Sequence, residues 1–409
     1  MPEVWTPEWS NAVFSLEERD RRWAKMRDLM RQQGIDLIVS LPWTGSHDRA
    51  QADPRYLTQL GENSDEALVA FPLEGNVTAW HTRPGVWPGS NWISDIRAAP
   101  RGTGGRTIST YLKEHPQLER ATIGIAALDS SFLAHVRAAE GEVNWQSVDI
   151  IKREHPNARF VSATPVLGQA RWRKSDEEIE FLRKGTAIAE KTVEAIVKHA
   201  RAGIPERDVF AEMAFVNADE GGSFQPMFGW ISGPLGNTYH RVEQPSLRKL
   251  QTGDVLSIEV EGRWGGYIAQ IDRTFSIGPA HQDLKDGFKL ACESFDRVFA
   301  ALKPGVTVAQ LAEAADIKGM GGRGHATLTM HGRGTGDDGP GWFGTPTTTG
   351  NPASGMGNVV IEEGCCFILK PGTAVDGKPD FGRWGESVAV RAGGAERLGT
   401  SPQILYELI

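Results

Sequence analysis

The chain contains 409 residues, which predicts two domains because globular domains usually hold about 100–200 residues each. Its formal net charge is -8 without long runs of one sign, which argues against nucleic acid or a membrane surface as partner and favours a small-molecule substrate. The three cysteines match neither a disulfide framework nor a zinc-binding spacing. We expect no signal peptide and no membrane span, and therefore a cytoplasmic protein with reduced thiols.

Residues 1–164 alternate between helix and strand patterns. Apolar residues at helical spacing predict a helix over Leu16–Gly34, followed by a buried strand in IDLIVSLP. Further strands are predicted in DEALVAFP, NVTAWH and ATIGIAALDS, and further helices over Asp129–Glu140 and Val148–His155. This alternation predicts an α/β domain.

Residues 165–409 carry a different pattern, in which helices alternate with hairpins. Ser175 is a good N-cap for a long amphipathic helix, and a second helix follows Gly203. The stretch between Gly253 and Gly278, GDVLSIEVEGRWGGYIAQIDRTFSIG, predicts two strands joined by a Gly-Gly turn. After helices in Asp283–Leu302 and in VTVAQLAEAADIKGM comes a glycine-rich loop that begins HATLTMHGRG, then strands in CCFILKPGTAV and WGESVAVRAG.

Five motifs follow one another in the order of a known family. They are ARWRKSDEEIEFLRKG, LKPGVT, HGRG, IEEGCCFILKPG and GRWGESVAVRAGG. On these motifs the C-terminal part resembles the pita-bread family of methionine aminopeptidases, proline dipeptidases and creatinases, and the N-terminal part resembles the lid domain of its creatinase and prolidase branch. The resemblance implies an α/β lid domain at 1–164, an α+β pita-bread catalytic domain at 165–409, and a homodimer.

The resemblance also implies an altered metal site. Metallopeptidases of this family hold two divalent ions with five ligands, because clustered carboxylates balance the charge of the ions and share a nucleophilic water. The corresponding positions in this chain are Glu259, Gln270, His331, Lys370 and Glu386. Since a protonated lysine donates three hydrogen bonds and accepts none, Lys370 repels a dication. We therefore expect no metal and no other cofactor.

Creatinase provides the family precedent for hydrolysis without a metal, and two further positions resemble its site. His240 corresponds to a substrate-side histidine, and Asp272 to a glutamate that binds substrate nitrogen. We expect His240 to activate water, because histidine can accept a proton from water and return it to a leaving nitrogen. The catalytic set is completed by Lys370, Glu386 and Glu259, which are expected to stabilise charge.

Aromatic residues near these motifs predict an aromatic-lined pocket for an aromatic or cationic substrate. The alternative is that these rings only fill the core. For Asp338, which follows HGRGTG, the alternative is a solvated loop acid. The predicted substrate-binding residues are Asp272, Gln270, His331, Trp230, Trp264, Trp342 and Asp338.

Together these features predict a metal-independent hydrolase, similar to creatinase or ectoine hydrolase, that cleaves a C–N bond in a small polar or cationic nitrogen compound. Three alternatives stay open: a lyase acting on a small molecule in the same fold, a metal-dependent Xaa-Pro peptidase, and a non-catalytic binding module. The lyase is retained because a base beside a lysine also supports elimination. The binding module is less favoured because the substituted site keeps charged residues and is not filled with apolar ones.

Overall fold

A computed structural model of the chain describes residues 13–42, 51–61, 66–82, 92–134, 140–222, 227–242, 246–343 and 355–409. The chain divides into two compact units. The first comprises Met1–Glu177 and Thr335–Gly339, and the second comprises Glu178–Gly334 and Pro340–Ile409. The finer division into domains at 1–164 and 165–409 stays a prediction.

The helices end where local sequence signals predict. Helix α1 begins after Ser15, whose side chain accepts a hydrogen bond from the Glu18 N–H, and ends at Gly34, which has a left-handed φ of 63°. The helices of the described residues are α1 (Leu16–Gln33), α2 (Ala52–Thr58), α3 (Gly104–Glu114), α4 (Trp145–Glu154), α5 (Thr164–Trp172), α6 (Asp176–His199), α7 (Glu206–Asp219), α8 (Gln282–Ala301) and α9 (Val308–Ala315).

One predicted helix does not form over those of its residues that the structure describes. Residues 129–134, at the start of the predicted helix Asp129–Glu140, form bends and irregular backbone. The Ser131 hydroxyl accepts hydrogen bonds from the N–H groups of Leu133 and Ala134. Such a local turn competes with the helical bonds of the backbone, and this explains why the prediction is wrong there.

The strands of the first unit form one six-stranded sheet in the order β4-β3-β2-β1-β5-β6. Strand β1 pairs antiparallel with β2 and parallel with β5, as expected of the predicted α/β domain. These strands are β1 (Leu37–Ser40), β2 (Ala67–Pro72), β3 (Thr78–His81), β4 (Asp95–Ala98), β5 (Thr122–Ile125) and β6 (Arg159–Ser162).

The described strands of the second unit form three sheets. In chain order they are β7 (Phe228–Pro234), β8 (Tyr239–Val242), β9 (Asp254–Trp264), β10 (Tyr267–Ile277), β11 (Ile317–Gly319), β12 (Gly324–Thr327), β13 (Thr329–Gly332), β14 (Gly341–Phe343), β15 (Cys366–Leu369), β16 (Gly372–Val375), β17 (Glu386–Arg391), β18 (Gly394–Arg397) and β19 (Tyr406–Leu408). The sheet orders are β19-β10-β9-β7-β8, β11-β12-β16 and β14-β13-β15-β17-β18.

The glycine-rich segment that begins at His325 is not a plain loop. It contributes most of β12, all of β13 and all of β14, so the prediction of a loop is wrong for these residues. Strand β13 pairs with β15, where Met330 lies opposite Leu369. A partner so distant in the sequence supplies hydrogen bonds that no local pattern reveals, and these override the local preference of the glycines.

Helix α6 approaches the β9–β10 hairpin at two glycines. A Cβ atom added to Gly262 would lie 1.9 Å from the carbonyl oxygen of Gly185, and one added to Gly185 would lie 2.7 Å from the carbonyl oxygen of Gly262. Both separations are shorter than any side chain tolerates, so this contact between helix and sheet requires glycine on both elements.

No helix within the described ranges has both the length and the apolar character needed to cross a membrane.

We predict that Gly262→Ala lowers the free energy of unfolding of the second unit by about 1–3 kcal/mol or more, because the added methyl group must force α6 away from β9. Urea denaturation followed by circular dichroism measures the change. The matched control is Gly393→Ala, since a Cβ atom at Gly393 meets no atom within 4 Å. Equal stability of the two variants would contradict the packing role of Gly262.

Candidate functional site

The β9–β10 hairpin separates the core from the predicted site. Side chains alternate between the two faces of a strand, so the core residues Leu256, Ile258 and Val260 leave Glu259 on the opposite face of β9. The register sets Asp272 opposite Glu259 and Gln270 opposite Glu261. Residues directly opposite each other in an antiparallel pair share a face. The polar residues of both strands therefore lie on one face, as the two-residue period predicts.

Lys370 brings the next strand into this polar face. It follows β15 directly, and its side chain is only 5% exposed. Its ammonium nitrogen lies 2.9 Å from Glu259 Oε1 and donates a hydrogen bond to Gln270 Oε1 at 3.2 Å. The Gln270 amide in turn donates to Glu259 Oε2 at 3.4 Å. Glu259, Gln270 and Lys370 thus form a closed triangle of contacts.

Arg383 is a member of the site that the sequence analysis missed. Its Nη1 atom lies 3.5 Å from both Glu259 Oε1 and Asp272 Oδ2, and its Nη2 atom lies 3.6 Å from Asp380 Oδ1. The side chain is 29% exposed. Its position three residues before Glu386, inside a recognised motif, is the signal that could have identified it. We call Glu259, Gln270, Asp272, Lys370 and Arg383 the Lys370 cluster.

The two acids of the Lys370 cluster have opposite pKa shifts. Burial raises the pKa of Asp272 to about 6, although Arg383 acts to lower it. Burial acts to raise the pKa of Glu259 as well, but Lys370 and Arg383 outweigh it and lower that pKa to about 2. Burial lowers the pKa of Lys370 against the opposing effect of Glu259. At neutral pH Glu259 therefore stays ionised, whereas Asp272, whose pKa is about 6, can accept and release a proton.

Glu386 contacts arginines rather than the Lys370 cluster. Its carboxylate accepts hydrogen bonds from Arg273 at 3.2 Å and from Arg397 at 2.9 Å. The Arg273 guanidinium also stacks on the ring of Trp384, with Cζ 3.8 Å from the ring centroid. Burial raises the pKa of Glu386 although Arg273 opposes this shift. The predicted role of Glu386 in stabilising charge during the reaction stays a prediction.

The two predicted histidines occupy different sheets. His331 is buried in β13 opposite Ile368 of β15, and it contributes to the low pKa of Glu259. His240 lies in β8, where its backbone pairs with Ile231 of β7. The structure describes only the backbone at His240, so its role as the water-activating base stays a prediction.

The predicted tryptophans do not share one environment. Trp230 is completely buried in the hydrophobic core of the second unit, which agrees with the alternative of a packing role. Trp264 ends β9, and the Lys184 ammonium lies 4.9 Å from its ring centroid. Trp342 lies in β14 opposite Met330. An aromatic-lined pocket therefore stays a prediction.

Asp338 belongs to the segment 335–339, which is part of the first unit. It is buried, and its Oδ1 atom lies 2.9 Å from Arg171 Nη2. The Lys174 ammonium lies 3.7 Å from Oδ2, which also accepts a hydrogen bond from the Thr335 N–H. Burial and these ionic contacts contradict the alternative of a solvated loop acid for Asp338.

Comparison with known proteins identifies a family to which the chain belongs. The family model described as metallopeptidase family M24 matches residues 180–395. The Xaa-Pro dipeptidase of Pyrococcus furiosus is 26% identical over 264 residues, which cover 63% of this chain and 72% of that protein. The probable dipeptidase PepE of Mycobacterium tuberculosis is 30% identical over 256 residues, 61% of this chain and 63% of that protein. The match thus spans less than two thirds of PepE.

Solved structures match almost the whole chain. The X-Pro aminopeptidase from Thermotoga maritima MSB8 has a TM-score of 0.72 at 20% identity, and the match covers 94% of this chain and 99% of that one. The prolidase from Pyrococcus horikoshii OT3 has a TM-score of 0.69 at 20% identity, covering 95% and 99%. At such identities the likeness shows the fold. The predicted combination of an α/β N-terminal domain and a pita-bread C-terminal domain is confirmed.

The relatives correct the predicted function. Their names are those of dipeptidases, and the matching family model is described as a metallopeptidase family. The prediction of a metal-independent hydrolase for a non-peptide C–N bond is therefore wrong, while the broader hydrolase class is supported. The prediction gave two substituted positions, Gln270 and Lys370, more weight than the rest of the chain. Substrate class depends on the shape and chemistry of the whole cleft, which two side chains do not define.

The residues of the Lys370 cluster do not fit the pair of divalent ions that the family implies. The position between the oxygens of Glu259 and Gln270 is held by the ammonium of Lys370, which repels a cation. An amide oxygen at Gln270 also carries no charge to balance a metal. Within the described ranges, no group of three or more His, Cys, Asp or Glu side chains could hold a metal ion.

We predict that Glu259→Gln lowers the free energy of unfolding by about 3–5 kcal/mol at neutral pH, because it leaves the buried Lys370 ammonium without its carboxylate. The folded pKa of Glu259, about 2, lies below its ordinary value of 4.5. The stabilisation is therefore complete above the ordinary pKa and is lost as the pH falls towards 2. Urea titrations at several pH values should show the difference between wild type and variant shrinking as the solution is acidified.

The exposed Glu313→Gln is the matched control, since it removes the same charge from the surface. A stability difference between Glu259→Gln and wild type that stays constant from neutral to acid pH would show that the Glu259–Lys370 pair is not its source.

Proposed function

The chain belongs to the metallopeptidase family M24, and on this premise we propose that it hydrolyses the amide bond of a short peptide. The Xaa-Pro dipeptidase and PepE relatives support a dipeptide as substrate. The observation that carries the proposal is the Lys370 cluster, which places a buried hydrogen-bond donor and a carboxyl group of raised pKa within the matched region. A donor for the carbonyl and a proton acceptor for water are the two groups that amide hydrolysis needs.

Lys370 supplies the donor. A protonated lysine has three N–H bonds, and in the described structure two of them point to Glu259 and Gln270. The third remains for a ligand. Directed at the carbonyl oxygen of a peptide, it stabilises the negative charge that forms on this oxygen when water attacks. The buried setting strengthens this interaction because few water molecules compete for the ammonium.

Asp272 supplies the proton acceptor. Its Oδ2 atom has no hydrogen-bond partner in the described structure, and burial raises its pKa to about 6. Water forms a bond to the carbonyl carbon as its proton passes to Asp272. The C–N bond then breaks, and the proton passes from Asp272 to the leaving nitrogen, so that a free carboxylate and a free amine result.

Arg383 supports a substrate that carries a carboxylate. Its side chain is 29% exposed, against 5% for Lys370, so it is the more accessible of these two cations. Its distances of 3.5 Å and 3.6 Å to the neighbouring acids exceed those of a tight charge-assisted hydrogen bond. The guanidinium can therefore turn towards the C-terminal carboxylate of a dipeptide.

A second candidate is a non-catalytic protein that binds short peptides. It is favoured by the closed triangle of Glu259, Gln270 and Lys370, whose charged and amide groups satisfy one another without a ligand. Such mutual pairing stabilises a fold whether or not chemistry occurs.

We predict that the purified protein releases free amino acids from a panel of Xaa-Pro and other dipeptides in at least one of four buffers, containing EDTA, Mn²⁺, Co²⁺ or Zn²⁺. In that buffer, Asp272→Asn should lower kcat by about 100-fold or more, because the proton acceptor is lost. Wild-type kcat should rise as the pH passes about 6, where Asp272 ionises, and this rise should be absent from the residual activity of Asp272→Asn.

The exposed Asp376→Asn is the matched control and should leave both kcat and its pH profile unchanged. A wild-type protein that binds dipeptides in calorimetry and cleaves none in any buffer would establish the second candidate. A protein that neither binds nor cleaves them would contradict both.

A further inference from the structure

We infer that the ammonium group of Lys370 is the resident cation of this site, and that it excludes a divalent metal ion from the oxygens of Glu259 and Gln270. The inference concerns the binding of cations alone. It is tested without substrate, so its outcome does not depend on whether the protein hydrolyses peptides.

The contacts of Lys370 are those of a bound cation. Two oxygen atoms, Glu259 Oε1 and Gln270 Oε1, lie 2.9 Å and 3.2 Å from its nitrogen. Both belong to β-strands and are presented from one face of the hairpin. Oxygen atoms that converge in this way bind hard cations when no ammonium stands between them.

Gly385 leaves space for the base of the Lys370 side chain. A Cβ atom added to Gly385 would lie 2.6 Å from Asp272 Cβ and 2.8 Å from Lys370 Cβ. The Cβ atoms of Asp272 and Lys370 therefore both pack close to the backbone of Gly385. The backbone of Gly385 also exchanges hydrogen bonds with that of Asp272. Because Gly385 has no side chain, the bases of the Lys370 and Asp272 side chains can both lie against its backbone.

The charges around Lys370 require a cation at this point. Asp272 is completely buried, and its Oδ2 atom lacks a hydrogen bond within the described structure. Glu259, which lies directly opposite Asp272 in the hairpin, adds a second carboxylate to the same face. Arg383 faces both acids, but only at 3.5 Å. Without Lys370, two largely buried carboxylates would share one partly exposed guanidinium, which is costly unless another cation takes the vacant place.

The double substitution Lys370→Glu with Gln270→Asp should convert the cluster into a metal site. It replaces an ammonium and a neutral amide by two carboxylates beside Glu259, and the buried imidazole of His331 acts electrostatically on that same Glu259 carboxylate. Carboxylate and imidazole groups are ligands that Mn²⁺ and Zn²⁺ accept. We expect wild type to show no saturable binding of Mn²⁺ in titration calorimetry up to about 1 mM, and the double variant to bind it at least about 100-fold more tightly.

The matched control is Lys303→Glu with Gln251→Asp, which makes the same changes at exposed positions and should leave Mn²⁺ binding unchanged. The single variant Lys370→Gln, which removes the ammonium without adding charge, should bind Mn²⁺ measurably but more weakly than the double variant. Thermal unfolding provides a second readout, because a metal that binds only the folded state raises the Tm with concentration.

Two results would overturn the inference. One is saturable Mn²⁺ or Zn²⁺ binding by wild type that disappears in Glu259→Gln, since the metal would then bind beside Lys370. The other is a folded double variant with no more affinity for Mn²⁺ than the surface control. If the double variant does not fold, the wild-type titration and the Lys370→Gln variant decide the question.

Discussion

The buried pairing of Lys370 with Glu259 is the interaction on which the candidate site depends. Both groups are ionised while largely shielded from water, and each makes the burial of the other tolerable. The pair links β9 to the residue that follows β15, so it joins two of the three sheets that the described strands of the second unit form. Gln270, Asp272 and Arg383 gather around this pair, and burial raises the pKa of Asp272 to about 6.

The β9–β10 hairpin links this polar pairing to the stability of the second unit. One face of its strands contributes Leu256 and Ile258 to the hydrophobic core, and the other presents Glu259. The close approach of Gly262 to Gly185 fixes α6 against the hairpin. Because each strand serves both faces, a displacement of the core moves the site, and the register Asp272–Glu259 keeps the acids in place.

The substituted positions and the family membership give complementary information about function. The chain matches the metallopeptidase family over residues 180–395 and is similar to dipeptidases, whereas the side chains of the Lys370 cluster do not suit the metal pair of that family. The prediction of a non-peptide substrate rested on the altered positions, and the dipeptidase relatives contradict it. Those positions concern the cation of the site and do not by themselves identify the substrate.

The sequence by itself determined the hairpin, the helices α1 and α6, the order of the motifs and the presence of Lys370 among the site positions. These follow from local periodicity, caps and motif spacing, which a single chain displays directly. The tertiary structure alone decided that Arg383 joins the Lys370 cluster, that Glu386 contacts Arg273 and Arg397, and that Asp338 belongs to the first unit. The reason is physical: these contacts join residues distant in sequence, and their partners depend on how sheets and loops pack in three dimensions.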